Sequence, residues 1–359
     1  MQSYFSVQNN NKEWPENGLE SLQSCPVCGL DIPLLLHKEL SDRIFLAPGK
    51  WTMYQCGGCD SGYLNPRPTL ETINLAYETY YTHSVHDTSV ARQDGIVSRL
   101  RRALVNGYLN WRFGTRYKRA NYFGIVICWL YPKFKNILNR GYRYIPKIST
   151  DASLLDVGFG DGSFLGLAKN AGWTVTGVDS DLVTVHAAKK RGLNVLHGGI
   201  ETLDDISSHF DMITLSHVIE HVHDPRAVLR KAYRLLKPGG IIWLETPNID
   251  SFGHHRFGRH WRGIEPPRHL VIFNWDSLEK LLEEEGFILK YRFPQYEGFT
   301  GLSAKSRAIK SGTDPYQSKQ IFSDKFFGLI AKFMIYVNRR HSEFVTVQFV
   351  KSDIKKINS

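Results

Sequence analysis

No apolar run in this 359-residue chain approaches the roughly 18–20 residues that a bilayer-spanning helix requires. The longest candidates, YFGIVICWLY (122–131) and FFGLIAKFMIYV (326–337), are too short to cross. The opening stretch, MQSYFSVQNNNKEWPENGLE, lacks the apolar centre of a secretory signal. A cytoplasmic protein is therefore expected, peripheral to the inner face of a membrane at most. Cysteine is scarce, with five in the chain, and there is no internal repeat or low-complexity tract. Acid is missing from one segment altogether. Between Arg99 and Lys147 stand twelve Lys or Arg and no Asp or Glu; taking that +12 from the net +10 leaves −2 for the rest. The basic character is thus a property of one segment, and partners must be argued for that segment.

What is present divides the chain into four parts. Residues 1–20 read as a polar, flexible arm, and 21–70 hold four of the five cysteines. Residues 71–148 form a helical, basic-aromatic connector. From 149 to 359, short β-rich runs alternate with amphipathic stretches: SLLDVGF, SFLGLAKNAG, TVTGVDS, DLVTVHAAKKRG, LNVLHG, FDMITLS and GIIWLET in order. That alternation predicts βαβ units, a parallel sheet and an α/β fold class.

Within DVGFGDG (156–162), three glycines alternate after an aspartate. A bare turn between the first strand and first helix lets a ligand lie against backbone N–H groups. The spacing is GxGxG rather than the dinucleotide GxGxxG, and Asp156 would repel a pyrophosphate but suit an ammonium. Asp179 ends the next strand 21 residues after Gly158, where an acid meets a ribose diol. A ribose, a cationic amino-acid end and no phosphate describe S-adenosylmethionine.

LLDVGFGDG, GVDS, FDMITLSHVIEHV and LLKPGGIIWLETPN together resemble the successive motifs of class I S-adenosylmethionine-dependent methyltransferases, nearest to the ubiquinone-biosynthesis O-methyltransferase branch. The resemblance implies a Rossmann-like, seven-stranded sheet with helices on both faces. It implies cofactor contacts from Asp156, Gly158, Phe159, Gly160 and Gly162 at the methionine end, and from Asp179 and Ser180 at the ribose and adenine. Ser216 and His217 are expected beneath the sulfonium. Methyl transfer needs in-line alignment and the removal of one proton, for which His221, Glu220 and His269 are the candidate catalytic groups. Packing within the core is the competing reading for each.

CPVC (25–28) and CGGC (56–59) are two Cys-x-x-Cys pairs separated by 27 residues. Four thiolates, Cys25, Cys28, Cys56 and Cys59, suit a closed structural Zn²⁺ site. With the NPRP turn and YETYYTH, they resemble a zinc ribbon that precedes some bacterial methyltransferases, many of them acting on sugars or cell-surface glycans. SFGHHRFGRHWRGIEPPRH (251–269) carries four Arg and four His against one Glu, and three glycines suggest a lid. These features predict methyl transfer to an oxygen, or a carbon, of a small anionic or glycan-type acceptor, for instance a nucleotide- or lipid-linked sugar. A quinone-precursor phenol is the alternative acceptor, and a zinc-containing nucleic-acid binder is the alternative class. The eleven aromatics among the cations of 99–147 suit an anionic membrane surface better than nucleic acid, because of the apolar clusters beside them.

Overall fold

A computed structural model of the chain describes residues 13–78 and 95–352. Its first strands are β1 (Leu19–Glu20), β2 (Pro33–Leu40), β3 (Trp51–Cys56), β4 (Gly62–Leu64) and β5 (Arg67–Pro68). Helices α1 (Ile96–Phe113), α2 (Phe123–Leu130) and α3 (Pro132–Gly141) follow. Then come β6 (Ser153–Val157), α4 (Ser163–Asn170), β7 (Thr174–Asp179), α5 (Leu182–Lys190), β8 (Val195–His197) and β9 (Phe210–Ser216). The remainder is α6 (Pro225–Leu235), β10 (Leu236–Pro247), α7 (Phe252–Phe257), β11 (Val271–Ile272) and α8 (Trp275–Glu284). It closes with β12 (Phe287–Arg292), α9 (Phe299–Ser311), α10 (Phe322–Val337) and β13 (Phe344–Lys351).

One mixed sheet of seven strands runs β12-β13-β10-β9-β6-β7-β8, the α/β Rossmann-like methyltransferase arrangement. Internal contacts divide the described residues into two compact units. The central unit takes 95–215 and Arg234–Trp243; the flanking unit takes 13–78, Ser216–Tyr233 and Leu244–Ser352.

In the central unit β6 pairs in parallel with β7 and β9, and β7 with β8. Leu154, Leu155 and Val157 of β6 are buried, as a strand covered on both faces requires. Helices α1 and α2 pack so closely that a Cβ on Gly124 would lie 1.9 Å from the Leu104 carbonyl oxygen. Their rings are not all turned inward: Phe123, Trp129 and Tyr131 face solvent. Among the described residues no helix is long and apolar enough to cross a membrane.

The flanking unit holds a second, antiparallel sheet, β11-β4-β3-β2. Trp51 and Met53 of β3 and Leu64 of β4 share one core with Ile249, Trp261, Ile264 and Ile272. The four sequence segments therefore do not map one-to-one onto compact units: the N-terminal module recruits a two-residue strand from beyond residue 270. Part of the expected arm (1–12) and most of YETYYTH (79–83) lie outside the described residues.

The stretch 251–269 differs from the expected lid. It folds into α7 and a tight turn, with Trp261, Ile264, Arg268 and His269 buried. Gly253 and Gly263 serve close packing rather than hinge motion. A Cβ on the first would lie 2.4 Å from a Glu343 carboxylate oxygen, and on the second 2.3 Å from the Trp261 ring. Two of its cations are ion-paired, Arg268 with Asp42 and Glu265 and Arg262 with Glu265; Arg259, donating to the Glu39 carbonyl, and Arg256, over the Phe327 ring, stay exposed.

Candidate active site

Strand β6 delivers the chain into the glycine turn. Gly158 N–H donates to the Val178 carbonyl on β7 at 2.8 Å, so the turn stays against the sheet. Gly158, Gly160 and Gly162 have φ of 65°, 57° and 71°, left-handed values that cost other residues about 1 kcal/mol or more each. A Cβ on Gly160 would meet nothing within 4 Å, so the turn faces open space. Phe159 between them is buried, its ring filling the space above Gly177. Helix α4 begins directly after Gly162.

Asp179 closes the turn from the end of β7. Its Oδ2 accepts the Gly160 N–H at 2.9 Å and its Oδ1 accepts the Asp181 N–H at 3.0 Å. Burial pushes the Asp179 carboxyl up, and those two N–H groups oppose the rise. Ser180 follows, its carbonyl beside His197 Nε2 at 3.0 Å.

Asp156 departs from expectation. Its carboxylate is wholly buried and ion-paired with Arg143, and it accepts the Thr214 hydroxyl at 2.8 Å. The predicted contact with a ligand ammonium is closed to a carboxylate with no exposed surface. Asp156 instead anchors the segment that leads into the turn. Arg143 and Thr214 were not legible as partners, because they come from 13 and 58 residues away.

In the flanking unit, Ser216 ends β9 and His217 begins a turn with φ of 55°. The His217 imidazole lies 3.1 Å from Glu220 Oε1 and 3.5 Å from Glu245 Oε1. Desolvation works against its charge although the side chain is 39 % exposed, and these two carboxylates lift its pKa to about 10. His217 therefore holds two acids in place with its side chain, a role the sequence did not suggest. The signal for Glu245 was a charged residue inside the apolar strand GIIWLET.

The three catalytic candidates come together. Donor atoms of Glu220, His221 and His269 lie within 4.8 Å of one another. Glu220 is buried and takes the Thr246 hydroxyl at 2.9 Å. His221 Nδ1 is 3.0 Å from the Arg268 carbonyl and 3.1 Å from the Tyr77 hydroxyl, and His269 Nδ1 is 2.8 Å from the Gly263 carbonyl.

Another buried acid, Glu343, lies in the same unit. Glu343 accepts the Gly253 N–H at 2.8 Å and the Trp261 Nε1–H at 3.0 Å, yet burial raises its carboxyl to about 7. Because the folded-state value lies above the unfolded one, stability falls as pH rises from about 4.5 to about 7 and levels off beyond. The change expected is about 3 kcal/mol. Urea titrations across that range should show the slope in the wild type and a flatter profile in Glu343→Gln.

The four cysteines meet in two matching turns. Cys25 Sγ lies 3.7 Å from Cys59 Sγ, and Cys28 Sγ 3.5 Å from Cys56 Sγ. Zn–S bonds of about 2.3 Å in a tetrahedron place sulfurs about 3.8 Å apart. The Gly29 and Asp60 N–H groups donate to the Cys25 and Cys56 carbonyls, both at 2.9 Å, with both residues left-handed. Val27 N–H points at Cys25 Sγ and Gly58 N–H at Cys56 Sγ, at 3.4 and 3.3 Å. Such donors favour thiolates, so the set fits a structural zinc ion.

Residues 134–290 match a family model described as a methyltransferase domain. The chain carries a methyltransferase domain. This domain contains β6, the glycine turn, Asp179 and the Glu220–His221–His269 cluster. Over 105 residues the chain is 34 % identical to a ubiquinone biosynthesis O-methyltransferase of Pseudomonas putida (strain W619), covering 26 % of this chain and 44 % of that one. The same enzyme of Pseudomonas fluorescens (strain Pf0-1) is 35 % identical over 102 residues, with the same coverage. The chain thus spans less than half the length of the curated relatives it matches. Among solved structures, a SAM-dependent methyltransferase from Archaeoglobus fulgidus is 22 % identical, covering 64 % of this chain and all of that one, with a TM-score of 0.41.

Proposed function

We propose that this chain transfers a methyl group from S-adenosylmethionine to a hydroxyl oxygen of a small molecule. The observation that carries the reading is the turn of three left-handed glycines bridged to Asp179, within the methyltransferase-domain match. The backbone of Gly158–Gly162 would hold the methionine end, Asp179 the ribose hydroxyls, and Ser180 would lie beside the adenine. Ser216 is the further candidate contact. The cofactor supplies an activated methyl on a sulfonium, so the protein has chiefly to align the acceptor and manage its proton. Glu220, His221 and His269 are the groups proposed for that proton. Oxygen as the methylated atom is favoured by the names of the curated relatives. A sugar or anionic acceptor has less behind it, since two of the four arginines of 251–269 on which it rested, Arg262 and Arg268, are ion-paired with Glu265 and Asp42.

Calorimetric titration of the zinc-loaded protein with S-adenosylmethionine and its demethylated product tests the cofactor. Asp179→Ala removes a charged acceptor of two hydrogen bonds and releases Gly160 as well; binding about 100-fold weaker is expected. Circular dichroism of the variant checks that the fold survives. Absence of cofactor binding by the folded wild type would end the reading. With binding in hand, catechols, other phenols and nucleotide sugars are the acceptors to compare by transfer of labelled methyl.

A further inference from the structure

We propose that α10 is a dimer helix: its outward face packs against α10 of a second copy of this chain across a two-fold axis. Strands β12 and β13 are antiparallel neighbours, which a turn of about two residues can join. Residues 293–343 stand between them instead and carry α9 and α10. Helix α10 is seated on α9 by its small face. Gly328 lies so close that a Cβ there would come within 2.7 Å of the Thr300 hydroxyl oxygen, and Ala331 and Ile335 are buried on the same side. Asp324, buried in the first turn, accepts the Ser303 hydroxyl at 2.7 Å and an Arg307 N–H at 3.0 Å. These contacts fix the rotation of the helix, and with it the set of residues that point away from α9.

The outward set is the larger apolar surface. Among the described residues, Phe322, Phe326, Leu329, Phe333 and Tyr336 are 84, 49, 67, 65 and 80 % exposed. Their spacing of four, three, four and three residues keeps them in one line, the repeat by which two helices pack knobs into holes. A helix that serves only its own chain turns such residues toward the core. The line also reads nearly the same in both directions from Leu329. A phenylalanine stands three residues before it and another four after, and an aromatic ring stands seven residues away on each side. A two-fold interface requires that property, because one patch must be its own complement. No charge interrupts the line; Lys325 and Lys332 lie on one flank, the second paired with Glu297 at 3.1 Å. With aromatic side chains of about 150–250 Å² each, these five residues and Val337 beside them expose about 700 Å² per copy. Pairing would bury about 1,400 Å² in total, the size of a specific interface, whereas a lone soluble chain rarely leaves so large an apolar patch open.

Sedimentation velocity of the full, zinc-loaded chain tests the pairing. Interfaces of this size hold at micromolar concentration or below, so at about 20 µM the mass should be twice 41.1 kDa. Leu329→Asp and Phe326→Asp each bury a charge in the seam and should raise the dissociation constant at least about 100-fold. Both positions face solvent in the single chain, so the monomers should keep the circular dichroism of the wild type. Leu100→Asp, at an exposed leucine of α1, is the control and should stay dimeric. The melting temperature should rise with protein concentration in the wild type and not in Leu329→Asp. A monomeric wild type at that concentration, or a dimer that survives both α10 substitutions, overturns the proposal. Flotation of monomeric wild type with phosphatidylglycerol vesicles, lost in Leu329→Asp, overturns it in favour of a lipid surface. The masses are read without cofactor or acceptor, so their failure leaves the methyl-transfer reading standing.

Discussion

Replacing Arg143 with leucine should cost about 3–5 kcal/mol of stability, the range for removing one partner of a buried ion pair. The loss comes from what remains. Asp156 has no exposed surface, and one of its oxygens, Oδ2, already lacks a hydrogen-bond partner. Burial pushes its carboxyl up, while Arg143 and the Thr214 hydroxyl pull it back. Without the guanidinium only Thr214 is left, and the acid must either keep an uncompensated charge or take a proton. Arg143 also lies 3.9 Å above the Phe164 ring, so its removal loses packing that leucine restores only in part. The sign of the pH effect follows. In Arg143→Leu the folded-state pKa of Asp156 rises further above its unfolded value, so stability improves on acidification toward the ordinary carboxylate range. Urea denaturation at neutral and mildly acidic pH measures both effects. The double variant Arg143→Leu with Asp156→Asn should recover more than half the loss, because no charge is then stranded. A single-variant loss below about 1 kcal/mol would mean that water reaches Asp156, and would also reopen the direct ligand contact that its burial excludes.

That pair also marks where sequence patterning stops being informative. Local features were legible: the alternation of β-rich and amphipathic runs, the glycine turn, an acid closing the following strand, and two Cys-x-x-Cys turns each complete within five residues. Their geometry is set by neighbours in the chain, through φ preferences and strand periodicity. Arg143 is different. It stands in a segment whose twelve cations look alike on paper, and only a left-handed backbone at 143 and 144 turns this one inward onto Asp156. The Arg/His stretch at 251–269 misled for the same reason. Its partners, Asp42, the Glu39 carbonyl and Phe327, are far away in sequence, so a folded and partly ion-paired stretch read as an open basic loop. Strand β11 had no signal either: two residues are too few for periodicity, and Val271–Ile272 is a strand because β4 offers it an edge. Glu220, His221 and His269 were singled out for proton chemistry. The Arg268 and Gly263 carbonyls that face the two imidazoles belong to a loop whose path no local pattern reveals.

Loss of the zinc ion that the four cysteines are proposed to hold should have the larger effect. Metal binding by small zinc modules contributes about 10–16 kcal/mol toward folding when nothing else holds them. Here the module shares a core through Trp51, Met53 and Leu64, so part of its order should outlast the ion. A loss of several kcal/mol is therefore expected for Cys56→Ser, or about 10–20 °C in melting temperature. The damage should spread within the flanking unit, because the turns are tied to its helices: Asn274, which caps α8, donates to the Cys59 carbonyl at 3.1 Å, and Arg226 of α6 to the Val27 carbonyl at 3.2 Å. Cys128 supplies the control. It is buried and stands apart from the four, so Cys128→Ala should keep the ion and shift the melt by a few degrees. Elemental analysis of both variants, read beside their melting curves, decides the case. An unchanged melt in a Cys56→Ser protein shown to lack the thiolate-bound ion would mean that the turns are held by their hydrogen bonds and core alone.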